Sequence, residues 1–487
     1  MEPAGLTPAE RRVRRAFAKG EMVDFRRDED ENATDGDTWG PERTVRAEVL
    51  RALLLGEPAA GGEVAGLWVL GARITGLLSL DDAAIPHSIR LLACHFERPL
   101  MLYGAHVRRL NLRASYLPAL EATGVTVDGG LRITDCDIPG QVWLGGARVE
   151  GPLFLDGAHV GDEDEDAEAL HVNHVTVGND LWAPGLVLNG TFTLVGSGVG
   201  GNLNLDGAEL NAPGRVALNA ENLTVGAHLS AEGLRTRGTV NLRGATIPGH
   251  LNLVAARLSA PGGTALRATS CTIGELWLRD AAPIQGAVNL RRSSVEVVYA
   301  EPDVWPNQVG LDGLTYRILL PQLPARRRLA LLARDDLGYV PHAYEQLAAA
   351  YRQAGDDAAA RTVQLAKHRR RRATLPWYAR TWGYLQDATV GYGFRPMRAA
   401  AWLVALTLAG GTAYALHHPE PLKPGEAPGF NAFFYALDLL LPIIDFGQEK
   451  AFKPDGLYQW LSYLLVVLGW VLATTIVAGV TRAVSRQ

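Results

Sequence analysis

The chain has 487 residues, of which 47% are hydrophobic and 20% are charged, and its formal net charge is -5. This length accommodates two to four domains, and the mild negative charge argues against nucleic acid as the main partner. The three cysteines are far apart and match no metal-ligand spacing. We therefore expect Cys94, Cys136 and Cys271 to be small buried residues in a reducing compartment. The N-terminal charges precede no apolar run, so no cleavable signal peptide is expected.

The first part of the chain, 1–61, is predicted to be a helical cap. Amphipathic patterns at 7–19 and 43–55 indicate two helices, and an acidic linker at 27–37 separates them. The array of repeats that follows must have its first apolar end covered. We assign that role to these helices.

A repeat of ten or eleven residues fills 62–315 and reads Leu-x-Leu-x-Gly-Ala-x-Ile. Leu-x-Leu directs both leucines to one side of a strand, and the small residue that follows lets the chain turn. Glycine recurs throughout the array, which argues against helices. The pattern predicts a mainly β protein, a parallel β-helix whose coils cover one another's edges. Two units per turn would give about ten coils, or a rod of about 48 Å.

This pattern resembles the pentapeptide-repeat class of proteins, in which paired five-residue steps carry a central Leu and a small residue. The resemblance covers 62–315 and implies a right-handed parallel β-helix, although eleven-residue units often replace ten-residue ones here. The chain also resembles actinobacterial proteins described as membrane-associated oxidoreductases, which implies redox chemistry. No residue pattern supports it, and we predict no catalytic residue, metal ligand or cofactor.

One motif matches the dinucleotide fingerprint G-x-G-x-x-G, at Gly196, Gly198 and Gly201. That fingerprint requires a helix that begins at the bound pyrophosphate. The residues that follow, Asn202 to Leu205, instead continue the repeat in register. We therefore predict that these glycines belong to the β-helix.

Residues 316–398 are predicted to form a basic helical connector, with helices at 325–334 and 344–372. Positions 361–400 carry nine Lys or Arg against one acid. Arg369, Arg370, Arg371 and Arg372 are candidates for binding anionic lipid head groups at the membrane surface. The sequence Thr-Val-Gly-Tyr-Gly at 389–393 has the letters of a potassium-channel filter, but it precedes the first apolar run. We interpret it as a glycine turn.

The region 399–480 is predicted to be a two-span membrane module. Its uncharged runs, 399–416 and 457–480, are long enough to cross a lipid bilayer. The connection at 417–456 carries three Lys and six acids, and so it is predicted to lie outside. Both termini, including the tail 481–487, and the β-helix would then lie in the cytoplasm, under a plasma membrane.

An apolar segment at 430–447 lies between the two spans, where pore-loop channels carry their pore helix. Asp438, Asp445 and Gly447 are the candidate pore or intramembrane polar residues, because ionisable groups at membrane depth usually line a water-filled path. Asp445 occupies the place of the first filter glycine, which argues against a carbonyl cage for potassium. The alternative is an interfacial helix with both carboxylates in water.

Three functions from different classes follow from these patterns. The leading hypothesis is a non-enzymatic, membrane-anchored β-helix scaffold or sensor whose outward face binds an unknown protein partner. The alternative is a homo-oligomeric pore-loop ion channel gated by the cytosolic β-helix. The third is a membrane-associated oxidoreductase, which would need bound flavin or nicotinamide.

Overall fold

The computed structural model describes residues 5–28, 31–56, 64–162, 168–393, 396–423, 425, 427–441 and 443–484. The chain divides into two compact units, Met1–Ala354 and Gly355–Gln487. The predicted connector, 316–398, contributes residues to both units.

The repeats of the first unit form a parallel β-solenoid of about 11 turns. Leu78 pairs with Leu100, two repeats further along the chain. Ile89, one repeat after Leu78, pairs instead with Leu110 in a second sheet. Each turn therefore contains two repeats, which confirms the predicted parallel β-helix. Its handedness remains a prediction.

Short parallel strands build three sheets of this solenoid. The 18-stranded sheet contains Val23–Asp24, Gly66–Leu70, Ala84–Leu92, His106–Asn111, Thr126–Val127, Leu131–Arg132, Arg148–Val149, Leu153–Phe154, Thr176–Val177, Leu181–Trp182, Gly198–Val199, Leu203–Asn204, Thr224–Val225, Leu229–Ser230, Thr246–Asn252, Thr272–Leu278, Ser294–Ala300 and Thr315–Leu320. The 14-stranded sheet contains Leu78–Ser79, Leu100–Met101, Leu120–Glu121, Asp137–Ile138, Val142–Trp143, His159–Val160, Glu168–His171, Val187–Asn189, Thr191–Thr193, Glu209–Asn219, Arg235–Asn241, Arg257–Arg267, Gln285–Asn289 and Val309–Gly310. The three-stranded sheet contains Thr44–Arg46, Arg73–Thr75 and His95–Phe96.

One repeat shows how the sequence produces the fold. Leu100 and Leu102 are both buried, as the alternation predicts. Gly104 then adopts a left-handed φ of 61°, and the amide of Ala105 donates a hydrogen bond to the Leu102 carbonyl at 3.1 Å. Glycine takes this conformation at little cost because it lacks a Cβ atom. Ala105 and Val107 return to the interior and are buried.

The N-terminal segment covers the first coil. Its helices are α1 (Pro8–Lys19) and α2 (Ala47–Leu54), with 3₁₀ turns at Ala33–Thr38 and Pro41–Arg43. The strands Val23–Asp24 and Thr44–Arg46 pair in parallel with the first strands of the repeat array. This arrangement covers the open edge that a solenoid otherwise presents to solvent.

The other end of the solenoid is covered by α3 (Ala325–Leu332) and α4 (Pro341–Gln353). Arg328 of α3 is buried and donates hydrogen bonds to the carbonyls of Ala300 and Pro321 at 3.0 and 2.7 Å. These bonds compensate the burial of the guanidinium and attach α3 to the last coils.

The second unit is helical. It contains α5 (Asp357–Ala373), α6 (Trp377–Val390), a 3₁₀ turn at Gly391–Gly393, α7 (Pro396–Leu416), α8 (Ala432–Leu440) and α9 (Leu457–Val484). Glu420–Pro421 and Phe452–Lys453 form a small antiparallel pair. By length and composition, two stretches of the described helices could cross a membrane, Arg398–Leu416 and Leu457–Thr474.

Candidate functional site

The apolar segment between the two candidate spans packs against both of them. Tyr435 and Leu439 of α8 are buried in one cluster with Tyr414 of α7 and Leu465 of α9. The Tyr414 and Tyr435 rings meet edge to face with centroids 4.8 Å apart, and the Tyr414 hydroxyl donates to the Tyr458 carbonyl at 2.9 Å. The helix α8 is therefore an internal part of the helical unit.

The C-terminal end of α8 reaches far along α9. A Cβ atom at Gly469 would lie 2.2 Å from the carbonyl oxygen of Leu440, so only glycine permits this contact. Gly469 is about 18 Å along α9 from Leu457, at the helical rise of about 1.5 Å per residue. Gly410 of α7 makes a similar close approach, to Ala436 and Leu465. The segment thus enters between the helices.

Asp438 holds the chain that returns from the end of α8. Its side chain is 4% exposed, and its two carboxylate oxygens accept hydrogen bonds from the amides of Phe446 (2.8 Å), Gln448 (2.9 Å) and Glu449 (2.8 Å). Three backbone donors satisfy a buried carboxylate that would otherwise be costly. Asp438 therefore fixes the position of the return segment.

Asp445 and Gly447 lie on that return segment. The Asp445 side chain is exposed, accepts a hydrogen bond from the Gly447 amide at 2.8 Å and pairs with Lys450. Gly447 adopts a φ of 76°. The structure thus brings Asp438 of α8 against the segment that carries Asp445 and Gly447, but it buries the carboxylate of Asp438 and exposes that of Asp445.

Large apolar side chains surround Asp445 on the return segment. Ile443 is 85% exposed, Ile444 is 51% exposed and Phe446 is 42% exposed. An apolar surface of this kind marks contact with lipid or with another protein surface. Residue 442 of the same segment lies outside the described residues.

Two further residues of this site were missed in the sequence. Asn431 caps α8, since its side chain accepts from the amides of Phe433 and Phe434. The Gln448 side chain accepts from the Asn431 amide at 3.1 Å and donates to the Gly429 carbonyl at 3.3 Å. An Asn before an apolar helical run is an N-cap signal, so Asn431 was detectable. The Gln448 contacts required the fold.

The four consecutive arginines separate into two groups. Arg369 and Arg372 bind Asp387 of α6, with nitrogen–oxygen distances of 2.9 and 3.2 Å. Arg370 and Arg371 are exposed. Although burial raises the pKa of Asp387, the hydrogen bonds and charges of the two arginines hold that pKa below its ordinary value. Arg369 and Arg372 therefore fasten α5 to α6.

The first glycine motif belongs to the solenoid and the second is a turn, as predicted. Gly196 has a φ of 64° in a solenoid turn, and the strands Gly198–Val199 and Leu203–Asn204 follow it. In the second motif, Gly391 and Tyr392 both have a φ of 55°, and the turn separates α6 from α7. The Tyr392 hydroxyl lies 3.3 Å from Arg372.

The fold defines the class of this protein, a parallel β-solenoid with a C-terminal helical region that contains two candidate membrane spans. No protein-family model matches the chain, and neither a curated protein nor a solved structure shows significant similarity to it. Within the described residues, no group of three or more His, Cys, Asp or Glu side chains is arranged to hold a metal ion.

Proposed function

We propose that several copies of this protein assemble into a pore-loop ion channel, in which the β-solenoid is a cytosolic regulatory domain. The observation that carries this proposal is the entry of α8 between two candidate spans, with a return segment fixed by buried Asp438. A helix on the membrane surface would have both carboxylates in water. Burial of Asp438 disfavours that alternative.

Assembly of several copies is part of the proposal because two spans cannot enclose an aqueous path alone. The exposed apolar side chains of Ile443, Ile444 and Phe446 would then contact a neighbouring copy. Asp445 would form a ring of carboxylates, and rings of acidic side chains favour cations. Selection by charge replaces the carbonyl cage that a glycine filter provides.

The direction of insertion rests on charge. The connector is basic and the connection between the spans is acidic, which supports cytoplasmic termini. The exposed Arg370 and Arg371 and the exposed aromatic residues Trp377 and Tyr378 suit a membrane surface rich in anionic lipid.

Native mass spectrometry of the full-length protein in detergent, followed by cation flux from proteoliposomes, tests this function. We expect a closed ring, and we expect Asp445→Asn to lower flux severalfold because it removes the carboxylate ring. Asp455→Asn, an exposed acid of the same connection, is the matched control and should leave flux unchanged. A monomeric mass would contradict the channel.

A second candidate is the membrane-anchored scaffold or sensor, with a protein partner on the solenoid. The observation that favours it is the ion pair between Asp445 and Lys450. Because Lys450 already compensates the negative charge of Asp445, that carboxylate would attract a permeant cation less. In that case the protein is monomeric and its proteoliposomes are impermeable to cations. A protein partner from the cell would remain bound to the solenoid during purification. An oxidoreductase would instead show the absorbance of flavin or nicotinamide in the pure protein.

A further inference from the structure

A cavity of about 40 Å³ lies under the C-terminal cap of the solenoid, between the last coils and the helices α3 and α4. Its walls are mostly aliphatic and include Leu311, Leu314, Leu331, Leu332, Ala343 and Leu347. Three larger side chains complete the lining, those of Trp305, Tyr316 and Arg328. An apolar cavity therefore has one cation in its wall.

Arg328 is buried without a counter-charge. In the part of the chain that the structure describes, its hydrogen bonds go to the carbonyls of Ala300 and Pro321, and no carboxylate pairs with it. The two carbonyls accept from the guanidinium but carry no net charge. Burial, as the largest cause, lowers the pKa of Arg328. The positive charge of Arg328 is thus not neutralised.

Arg43 in the N-terminal cap is a useful comparison, because it is buried to the same extent. Arg43 also donates to a carbonyl, that of Gly71 at 2.8 Å. In addition it pairs with the carboxylate of Glu31 at 2.8 Å. Buried charges in proteins are usually paired in this way. Arg328 lacks the kind of partner that Arg43 has.

The buried acid of the same cap, Asp335, has other partners. Its carboxylate accepts hydrogen bonds from the amides of Leu311 at 2.8 Å and Leu337 at 3.0 Å. Burial, the largest cause, raises the pKa of Asp335, and the cation that opposes this shift is Arg291. Asp335 therefore does not neutralise Arg328.

The indole N–H of Trp305 also lacks an acceptor. Trp305 is buried, and no described residue accepts a hydrogen bond from its Nε1. A buried indole N–H usually has a partner. Two donors that line one cavity, a guanidinium and an indole, thus both have unused capacity.

The cavity limits the ligand in size and in charge. Its volume holds about three molecules of the size of water. Ordered water needs about two to four polar partners, which aliphatic walls do not supply. A phosphate would bring more negative charge than one arginine neutralises. A carboxylate carries one charge, matches the guanidinium in geometry and can carry an apolar tail.

We propose that this cavity binds a short aliphatic carboxylate of about two to four carbons, with its carboxylate on Arg328 and its alkyl chain against the leucines. The bound anion would neutralise the buried guanidinium. The site lies within the unit Met1–Ala354, and binding does not depend on ion conduction.

Isothermal titration calorimetry on the full-length protein in maltoside detergent tests the site, with acetate, propionate and butyrate in a buffer free of chloride and of other carboxylates. We expect propionate to bind with one molecule per chain. Propionamide has nearly the same shape but no charge. It should bind about tenfold more weakly or worse, because the charge-assisted hydrogen bond is lost.

Two substitutions address the two halves of the site. Arg328→Met removes the charge and should abolish propionate binding, but it also removes the bonds that attach α3. Ala343→Val instead fills the cavity and leaves Arg328 in place. It should weaken binding about tenfold or more through loss of space. Ala349→Val, on the same helix but outside the cavity lining, is the matched control and should bind normally.

Thermal unfolding of each variant shows that it is folded. The proposal is overturned if none of the three carboxylates binds at millimolar concentration, or if propionamide binds as tightly as propionate. Unchanged binding by Ala343→Val would place the carboxylate elsewhere and would also overturn it. If chloride displaces propionate at equal concentration, the cavity is a site for small inorganic anions and the proposal is wrong.

Discussion

A single carboxylate, that of Glu10, fastens the N-terminal cap. Glu10 has no exposed side-chain surface and accepts hydrogen bonds from Arg46 at 2.7 and 2.8 Å and from the Thr7 amide at 2.8 Å. The Arg46 hydrogen bond, as the largest cause, lowers the pKa of Glu10 to about 2. One side chain thus caps α1 and joins it to the strand that contains Arg46.

Replacing this carboxylate should destabilise the cap. We expect Glu10→Gln to lower the free energy of unfolding by about 3 kcal/mol at pH 7, the lower end for breaking a buried pair, because Arg46 is partly exposed. Because the pKa of Glu10 is lower in the folded protein than in the unfolded chain, its ionised carboxylate stabilises the fold at pH values above the unfolded-state pKa of about 4.3. The difference between the two proteins should therefore shrink as the pH falls from about 4.3 towards 2.

Denaturant unfolding across this pH range, followed by circular dichroism, measures the effect. Glu48→Gln is the control, because Glu48 pairs with the same Arg46 at the surface. Exposed pairs contribute about 1 kcal/mol or less. If the two variants lose the same free energy of unfolding, the buried carboxylate of Glu10 does not hold the cap.

At the scale of elements, close contacts between helices depend on glycine. The chain at Leu440 approaches α9 because Gly469 has no side chain, and a Cβ there would lie 2.2 Å from a carbonyl oxygen. Backbone atoms cannot move aside as a flexible side chain would. The position of α8 therefore depends on one residue of α9.

Substituting that glycine should displace α8. We expect Gly469→Ala to destabilise the helical unit by about 2 kcal/mol, within the range for overpacking, and to increase proteolysis of the return segment. Thermal unfolding and limited proteolysis in detergent measure both. Gly429→Ala is the control, because a Cβ at Gly429 meets no atom within 4 Å. If the two variants behave alike, the contact does not hold α8.

For the whole molecule, the buried cysteines make the direction of insertion measurable. Cys94, Cys136 and Cys271 are all buried. Burial raises the pKa of the Cys94 and Cys136 thiols to about 12, and the thiolate is the reactive form. The native protein should therefore react little with maleimides, and an introduced cysteine should report its own position.

The proposed topology makes opposite predictions for two exposed positions. Glu420→Cys, between the spans, should react with a membrane-impermeant maleimide in intact cells. Arg370→Cys, before the first span, should react only after the membrane is permeabilised. The reverse pattern would invert the proposed insertion, and labelling at both positions in intact cells would contradict two spans.

The sequence by itself determined the solenoid. Alternating leucines fix which side chains are buried, and the turn positions tolerate a left-handed φ at Gly104 and at Asp135, whose φ is 54°. These are local requirements repeated in every coil, so they can be read without a fold. The two long apolar helices and the glycine turn at 389–393 were predicted for the same reason.

The tertiary structure alone decided the chemistry of the candidate sites. The sequence shows Asp438 and Asp445 as equivalent acids in an apolar segment, and packing buries one among backbone amides while exposing the other. The four consecutive arginines are likewise equivalent in the sequence, whereas in the structure only two of them bind Asp387. The burial of a charge and its partners depend on chain segments distant in sequence, and no local pattern encodes them.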